Sequence, residues 1–305
     1  MKISVIGAGN VGGLAAMRIA QDGLVEVCLI DIAKGLPCGK ALDIEDSRAL
    51  LKFDSPVLGT DDLVGLGGSD IVVITAGFPR KPGMTREDLL NKNAQVIKEL
   101  CLGVKKYAPE TILIIVTNPL DLMTRLALKI TGFKANRVMG MGISLDAARF
   151  SNLIAEELNI FPQSVNAIVI GSHGEGMMPL VRLSTVGDAP LGKLIDAKKA
   201  EELINKTTGR GLEIVSLLGS GSAYFAPSAA ISSLVKAIAR DEKHIIGVSA
   251  YLNGEYGVKD VCIGVPCRLG ADGIEQIIEL DLDQEEKDTF VKSALRLQEQ
   301  FSSIQ

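Results

Sequence analysis

The chain has 305 residues, which at about 150 residues per domain is enough for two lobes or one large α/β unit with a substantial core. Its 32 Lys and Arg against 37 Asp and Glu give a net charge of −5, which excludes a chain-wide basic field for nucleic acid or an anionic membrane, so an anionic ligand must be met by local arginines. With 47% hydrophobic residues, 4% aromatic and no Trp, the apolar mass is aliphatic, which excludes a disordered chain and a disulfide-stapled miniprotein.

Ile3 to Ile6 is a β-branched run that breaks into Gly7, Gly9, Asn10, Gly12 and Gly13, a pattern that suits a strand and turn rather than a secretory signal. Gly13 to Asp22 then carries apolar residues at helical spacing. Val25 to Ile30, Ile71 to Thr75 and Ile112 to Thr117 repeat the unalternating apolar texture of parallel strands covered on both faces. Leu89 to Tyr107 and Asp121 to Thr131 read as helices between and after them, the latter behind Pro119. A fifth strand near Val138 gives way to a helix running on toward Asn159. The longest apolar runs, such as Ile112 to Val116, fall far short of the ~20 residues a membrane span needs.

The texture then changes. Val165 to Ile170 is a strand, Asp196 to Leu218 and Pro227 to Ala239 are helices, and His244 to Leu252 and Val258 to Pro266 are strands joined across Asn253-Gly254. A last helix covers Gln284 to Gln300. The expected fold is α/β: a Rossmann-type doubly wound parallel sheet over residues 1–144, followed by an α+β catalytic domain over 145–305. Five scattered cysteines, Cys28, Cys38, Cys101, Cys262 and Cys267, show no C-x-x-C and no His at ligand spacing, so the expectation is a reduced cytoplasmic protein with no metal.

Gly7-Ala8-Gly9-Asn10-Val11-Gly12 is a G-x-G-x-x-G between strand and helix. Gly7 makes the turn, Gly9 lets backbone approach a pyrophosphate, and Gly12 permits close helix–strand packing, while the helix amino end supplies N–H donors. Asp31 stands 19 residues after Gly12 at the end of the second strand, where a carboxylate accepts from both ribose hydroxyls and repels a 2′-phosphate, favouring NAD over NADP.

Further pieces gather at the same sheet edge. Thr75 to Arg86 follows the third apolar strand and reads as a mobile loop of glycines, prolines and cations, Arg80 and Lys81 among them. Val116-Thr117-Asn118-Pro119 ends the next strand, Asp146 and Arg149 are three apart on one helix, and His173 sits in Gly171-Ser172-His173-Gly174. Oxidising an alcohol by hydride transfer requires a base near neutrality, which His supplies, and a carboxylate such as Asp146 to orient the ring. Of the two histidines, His244 opens an apolar strand and reads as structural. Each piece also has a plain reading as solvated loop or ordinary ion pair.

Together with Leu145-Asp146-Ala147-Ala148-Arg149-Phe150 and Gly221 to Pro227, these motifs, in this order and over nearly the whole chain, resemble the lactate/malate dehydrogenase family. Within it the likeness is to the malate enzymes that are closer in sequence to lactate dehydrogenases. The resemblance implies His173 as proton acceptor, Asp146 as its partner, Arg149 on the substrate C1 carboxylate and Arg86 polarising the carbonyl. It further implies Asn118 shared between cofactor and substrate, Ser222 lining the pocket, and Asn93, Val116 and Thr117 as NAD contacts. Arg80 matches the position where Arg marks malate enzymes and Gln lactate enzymes. Many related malate enzymes carry Gln at Cys38 and Asp-Thr or Asp-Ser at Glu175-Gly176; neither departure removes a catalytic group. The expected activity is reversible NAD-dependent oxidation of malate to oxaloacetate by a homodimer or homotetramer, with no nucleic acid or membrane partner. The alternatives are a lactate or broad 2-hydroxyacid dehydrogenase and a silent NAD-binding protein.

Overall fold

The computed structural model describes residues 1–23, 25–78, 85–174, 176–219 and 221–304. Arg80 and Lys81, together with Glu175, lie outside the described residues. The chain runs β1 (Lys2–Ile6), α1 (Asn10–Gln21), β2 (Glu26–Ile30), α2 (Leu36–Leu51), β3 (Val57–Thr60), β4 (Ile71–Ile74), α3 (Arg86–Tyr107), β5 (Ile112–Ile115), α4 (Leu120–Thr131), β6 (Val138–Gly140) and α5 (Gly142–Leu158). It continues through the short strands β7 (Val165–Asn166), β8 (Val169–Ser172), β9 (Gly176–Pro179), β10 (Thr185–Val186) and β11 (Ala189–Pro190). Last come α6 (Ala197–Leu218), α7 (Phe225–Ala239), the long antiparallel pair β12 (His244–Asn253) and β13 (Lys259–Gly270), β14 (Gly273–Ile277) and α8 (Gln284–Ser302).

Strands β3-β2-β1-β4-β5-β6 pair in that order, and all five pairings are parallel. Both faces are covered, which is why every residue of β4 and β5 is buried and the sequence there shows no alternation. The order reverses between β1 and β4, and the crevice beyond the carboxyl ends of those two strands is where such sheets take their ligands. The sheet does not stop at β6. Ser249 of β12 pairs with Gly140, and the path continues through β13, β8 and β9 to make 11 strands with β14. A side chain on Gly140 would stand 2.5 Å from Thr124 Oγ1 and 2.9 Å from Ser249 Cβ, so the junction depends on glycine.

Helix starts follow local chemistry. Thr85 and Asp88 form a reciprocal capping box at α3, as Asp283 and Glu286 do at α8, and Asp196 caps α6. Gly132 and Gly219 close α4 and α6 in the left-handed conformation. Two expectations change in detail. The run Val165 to Ile170 divides into β7, which joins a small sheet with β10 and β11, and β8, which joins the main sheet. The β12–β13 hairpin turns through Gly254 and a 3-10 turn at Glu255–Gly257 rather than through Asn253-Gly254 alone. All five cysteines are free and four are buried; burial raises the Cys101 thiol to about 12 and raises Cys262 and Cys267 as well, so these thiols are unreactive.

Candidate active site

The glycine motif performs three separate tasks. Gly7 has φ +106°, and a Cβ there would strike Ala76 N and Thr75 Oγ1 at 2.6 Å. A Cβ on Gly12 would lie 1.8 Å from the Gly7 carbonyl oxygen, so only glycine lets α1 leave the strand so tightly. A Cβ on Gly9 would meet nothing within 4 Å, and α1 follows Gly9 as its N-cap with no side-chain cap and no acid in its first turn. An uncapped amino end beside open space fits the pyrophosphate of a dinucleotide. Asp31 Oδ2 accepts the Ala8 N–H at 2.6 Å and Oδ1 the Ala33 N–H at 2.9 Å. The carboxylate therefore fixes the glycine turn, and each oxygen keeps a further lone pair for a ribose hydroxyl.

The neighbouring strand ends are tied together. Thr75 Oγ1 donates to Gly7 O at 3.0 Å and Thr117 Oγ1 to Ala76 O at 2.6 Å. Buried Asn93 accepts the Phe78 N–H at 2.8 Å, and its Nδ2 donates to Phe78 O and to Asn118 O. The structure thus places Asn93 as a clamp on the backbone around the expected cofactor cleft. Asn118 is exposed, and no partner is recorded for its side-chain amide among the described residues. Val116 continues β5 with its N–H on Ile74 O. Arg86 is the first residue of α3, and Ser222 is exposed in the connection between α6 and α7.

Across the crevice, His173 follows β8 in a turn between Gly171 and Gly174, both at positive φ. Its Nδ1 lies 2.6 Å from Asp146 Oδ2, and Arg149 Nη1 donates to Asp146 Oδ1 at 3.2 Å. Asp146 is fully buried, whereas the His173 and Arg149 side chains are 16% and 12% exposed. With the carboxylate accepting from Nδ1–H, Nε2 is the free lone pair, the tautomer a general base requires. Arg149 Nε is buried without a partner among the described residues, leaving guanidinium donors for an incoming carboxylate. The close approach of His173 to α5 depends on Gly142, where a Cβ would meet His173 Cβ at 2.7 Å and Leu120 Cδ2 at 2.3 Å. His244 stands apart, 67% exposed and 3.1 Å from Glu242.

One member of this hydrogen-bonded cluster is not expected from the sequence. Asp121, buried in the first turn of α4, accepts the His173 N–H at 2.9 Å through Oδ2 and the Ser249 hydroxyl at 2.6 Å through Oδ1. It holds the backbone of the His173 turn while Asp146 holds the ring. Burial, the largest influence on His173, pushes its pKa down, but the charge and hydrogen bond of Asp146 and the charge of Asp121 outweigh it, and the net displacement is upward. A raised histidine pKa adds stability that is complete below the unfolded value of about 6.5 and is lost as pH rises through the folded value. Burial raises the Asp121 pKa, opposed by Ser249 and His173. Arg149 is lowered first by burial, against Asp146, with Arg210 adding like-charge repulsion.

Known proteins share this fold. A profile for the lactate/malate dehydrogenase NAD binding domain matches residues 1–140, and one for the lactate/malate dehydrogenase alpha/beta C-terminal domain matches 143–305. A malate dehydrogenase of Trichormus variabilis is 48% identical over 297 residues, 97% of this chain and 92% of that one. The crystal structure of Cryptosporidium parvum malate dehydrogenase superposes with a TM-score of 0.96 at 39% identity, covering 99% of this chain and 98% of that one. The lactate dehydrogenase of the same organism, complexed with lactic acid and β-nicotinamide adenine dinucleotide, gives a TM-score of 0.95 at 38% identity, covering 100% and 98%. Among the described residues, no helix is long and apolar enough to cross a membrane.

Proposed function

The chain belongs to the lactate/malate dehydrogenase family, and from that premise we propose that it interconverts (S)-malate and oxaloacetate. It is an NAD-dependent oxidoreductase with a Rossmann-type cofactor domain. The observation that carries the chemistry is the continuous chain from His173 through Asp146 to Arg149, two contacts of 2.6 and 3.2 Å that present a free imidazole lone pair beside guanidinium donors.

NAD, when bound, supplies the hydride acceptor. In the oxidative direction Arg149 binds the C1 carboxylate, His173 Nε2 takes the hydroxyl proton as the C2–H bond breaks toward the nicotinamide, and the carbonyl forms. Asp146 keeps the proton-bearing Nδ1 turned away and stabilises the imidazolium. Arg86 polarises the carbonyl, Asn118 orients it, and Ser222 borders the pocket. Gly7 to Gly12, Asp31, Asn93, Val116 and Thr117 form the cofactor side. Residues 1–144 serve as the NAD-binding unit and 145–305 as the catalytic one.

The choice of a four-carbon diacid is assigned to Arg80, since a second carboxylate buried without a cation costs several kcal/mol and about 1.4 kcal/mol is already tenfold. The names of the relatives support the same choice. The test is the initial loss of NADH absorbance with oxaloacetate and with pyruvate, repeated with NADPH. Much faster oxidation of NADH with oxaloacetate is expected; a preference for pyruvate overturns the malate assignment, and binding without turnover overturns the enzyme reading. The proposal extends to a cytoplasmic homodimer or homotetramer, supported by free thiols and by exposed Leu42 and Leu50 on α2 and Leu212 and Leu217 on α6, and checked by sedimentation.

A further inference from the structure

Lys40 belongs to neither the dinucleotide fingerprint nor the catalytic set, yet the fold brings it to the glycine loop. It stands in the second turn of α2, and its Nζ donates to the Gly9 carbonyl at 3.1 Å. A Cβ built on Gly13 would lie 3.2 Å from both Cδ and Nζ of Lys40. Gly13 is outside the G-x-G-x-x-G, and its bare face is the clearance that lets the lysine stem lie across α1.

The electrostatics of this corner are one-sided. Both α1 and α2 open with no side-chain cap and no acid in the first turn, so no first-turn carboxylate offsets either positive dipole end. Asp31, the acid of this corner, engages the Ala8 and Ala33 N–H groups with its two oxygens. No ion pair to Lys40 is found among the described residues, and the Gly9 carbonyl is its recorded partner. An ammonium held at the Gly9 cap of α1 and answered by one neutral oxygen is an arrangement that a bound anion completes.

We propose that Lys40 is a dinucleotide-binding residue, meeting the pyrophosphate of NAD from the side of α2 and supplying the charge that the glycine loop lacks. The inference rests on the NAD reading above. Its test is equilibrium binding to the full-length protein, followed by NADH fluorescence and by calorimetry, in wild type, Lys40→Met and Lys40→Arg. Losing one charge-assisted phosphate contact is expected to raise the Kd of NADH and of ADP about tenfold in Lys40→Met and to flatten their salt dependence. Adenosine, which lacks the pyrophosphate, is expected to bind both proteins alike, and Lys40→Arg to recover most of the loss.

Equal weakening toward ADP and adenosine would make Lys40 a strap on the loop and overturn the proposal, as would an unchanged NADH Kd. A loss confined to NADPH would assign the lysine to a 2′-phosphate and overturn it equally. A wild-type protein that fails to bind NADH would bring down the NAD reading and this inference together, an outcome distinct from normal wild-type binding untouched by Lys40→Met.

Discussion

Replacing Asp121 separates what a buried carboxylate does as a hydrogen-bond acceptor from what it does as a charge. Asp121→Ala orphans two buried donors, the His173 N–H and the Ser249 hydroxyl, at about 1–3 kcal/mol each, offset in part by no longer burying an ion. A net loss of about 2 kcal/mol is expected. Asp121→Asn keeps an oxygen for the His173 N–H and turns its amide to the Ser249 oxygen, so both contacts survive as neutral bonds and the loss is about 1 kcal/mol or less. Thermal unfolding of the apo protein should therefore rank wild type above Asn above Ala. The pH profile should not follow that ranking. In the proposed mechanism oxaloacetate reduction uses the His173 imidazolium, so its kcat/KM is expected to fall as pH rises through the His173 pKa, which the Asp121 charge helps to raise. Both variants remove that charge and should move the fall to lower pH by the same amount. An unmoved profile in Asp121→Asn would mean that Asp121 already carries a proton, and an Asn variant no more stable than Ala would refute the acceptor role.

Asp146→Asn should lower kcat/KM about 10³-fold or more, because the His173 tautomer is no longer fixed, while NADH affinity measured by titration stays within about twofold. Gly142→Ala forces a methyl group toward His173 and Leu120; a loss of about 1–3 kcal/mol in denaturant unfolding and a fall in kcat are expected. Arg80→Gln should move the kcat/KM preference from oxaloacetate toward pyruvate by at least about tenfold, and an unmoved ratio in steady-state assays would remove the basis of the substrate assignment.

The legible parts of the sequence were those in which local pattern and tertiary demand coincide. β1, its glycine turn and α1 follow from a β-branched run meeting glycines that the fold requires at Gly7 and Gly12. The His173–Asp146 pairing was reachable because only two histidines exist and one opens a strand. α2 was not anticipated, since it buries only Pro37, Ala41 and Ile44 of its 16 residues and shows little amphipathic signal. β3 hides for a related reason: four residues long, it contains Gly59 and buries only Val57. Asp121 escaped because an acid in the first turn of a helix is ordinary chemistry, and nothing local tells that Ser249 and the His173 backbone will close over it. Gly140 likewise gives no sign in sequence that the sheet runs on through Ser249.

That continuous sheet limits how this enzyme can be recombined. Asp121 on α4 belongs to the amino-terminal half, its two donors to the carboxyl-terminal half, and the Gly140–Ser249 pair stitches the same seam. A chimera that takes its cofactor half from one relative and its catalytic half from another therefore inherits a shared joint rather than a linker. Such hybrids should tolerate crossovers only when the residues at 121, 140 and 249 travel as a matched set.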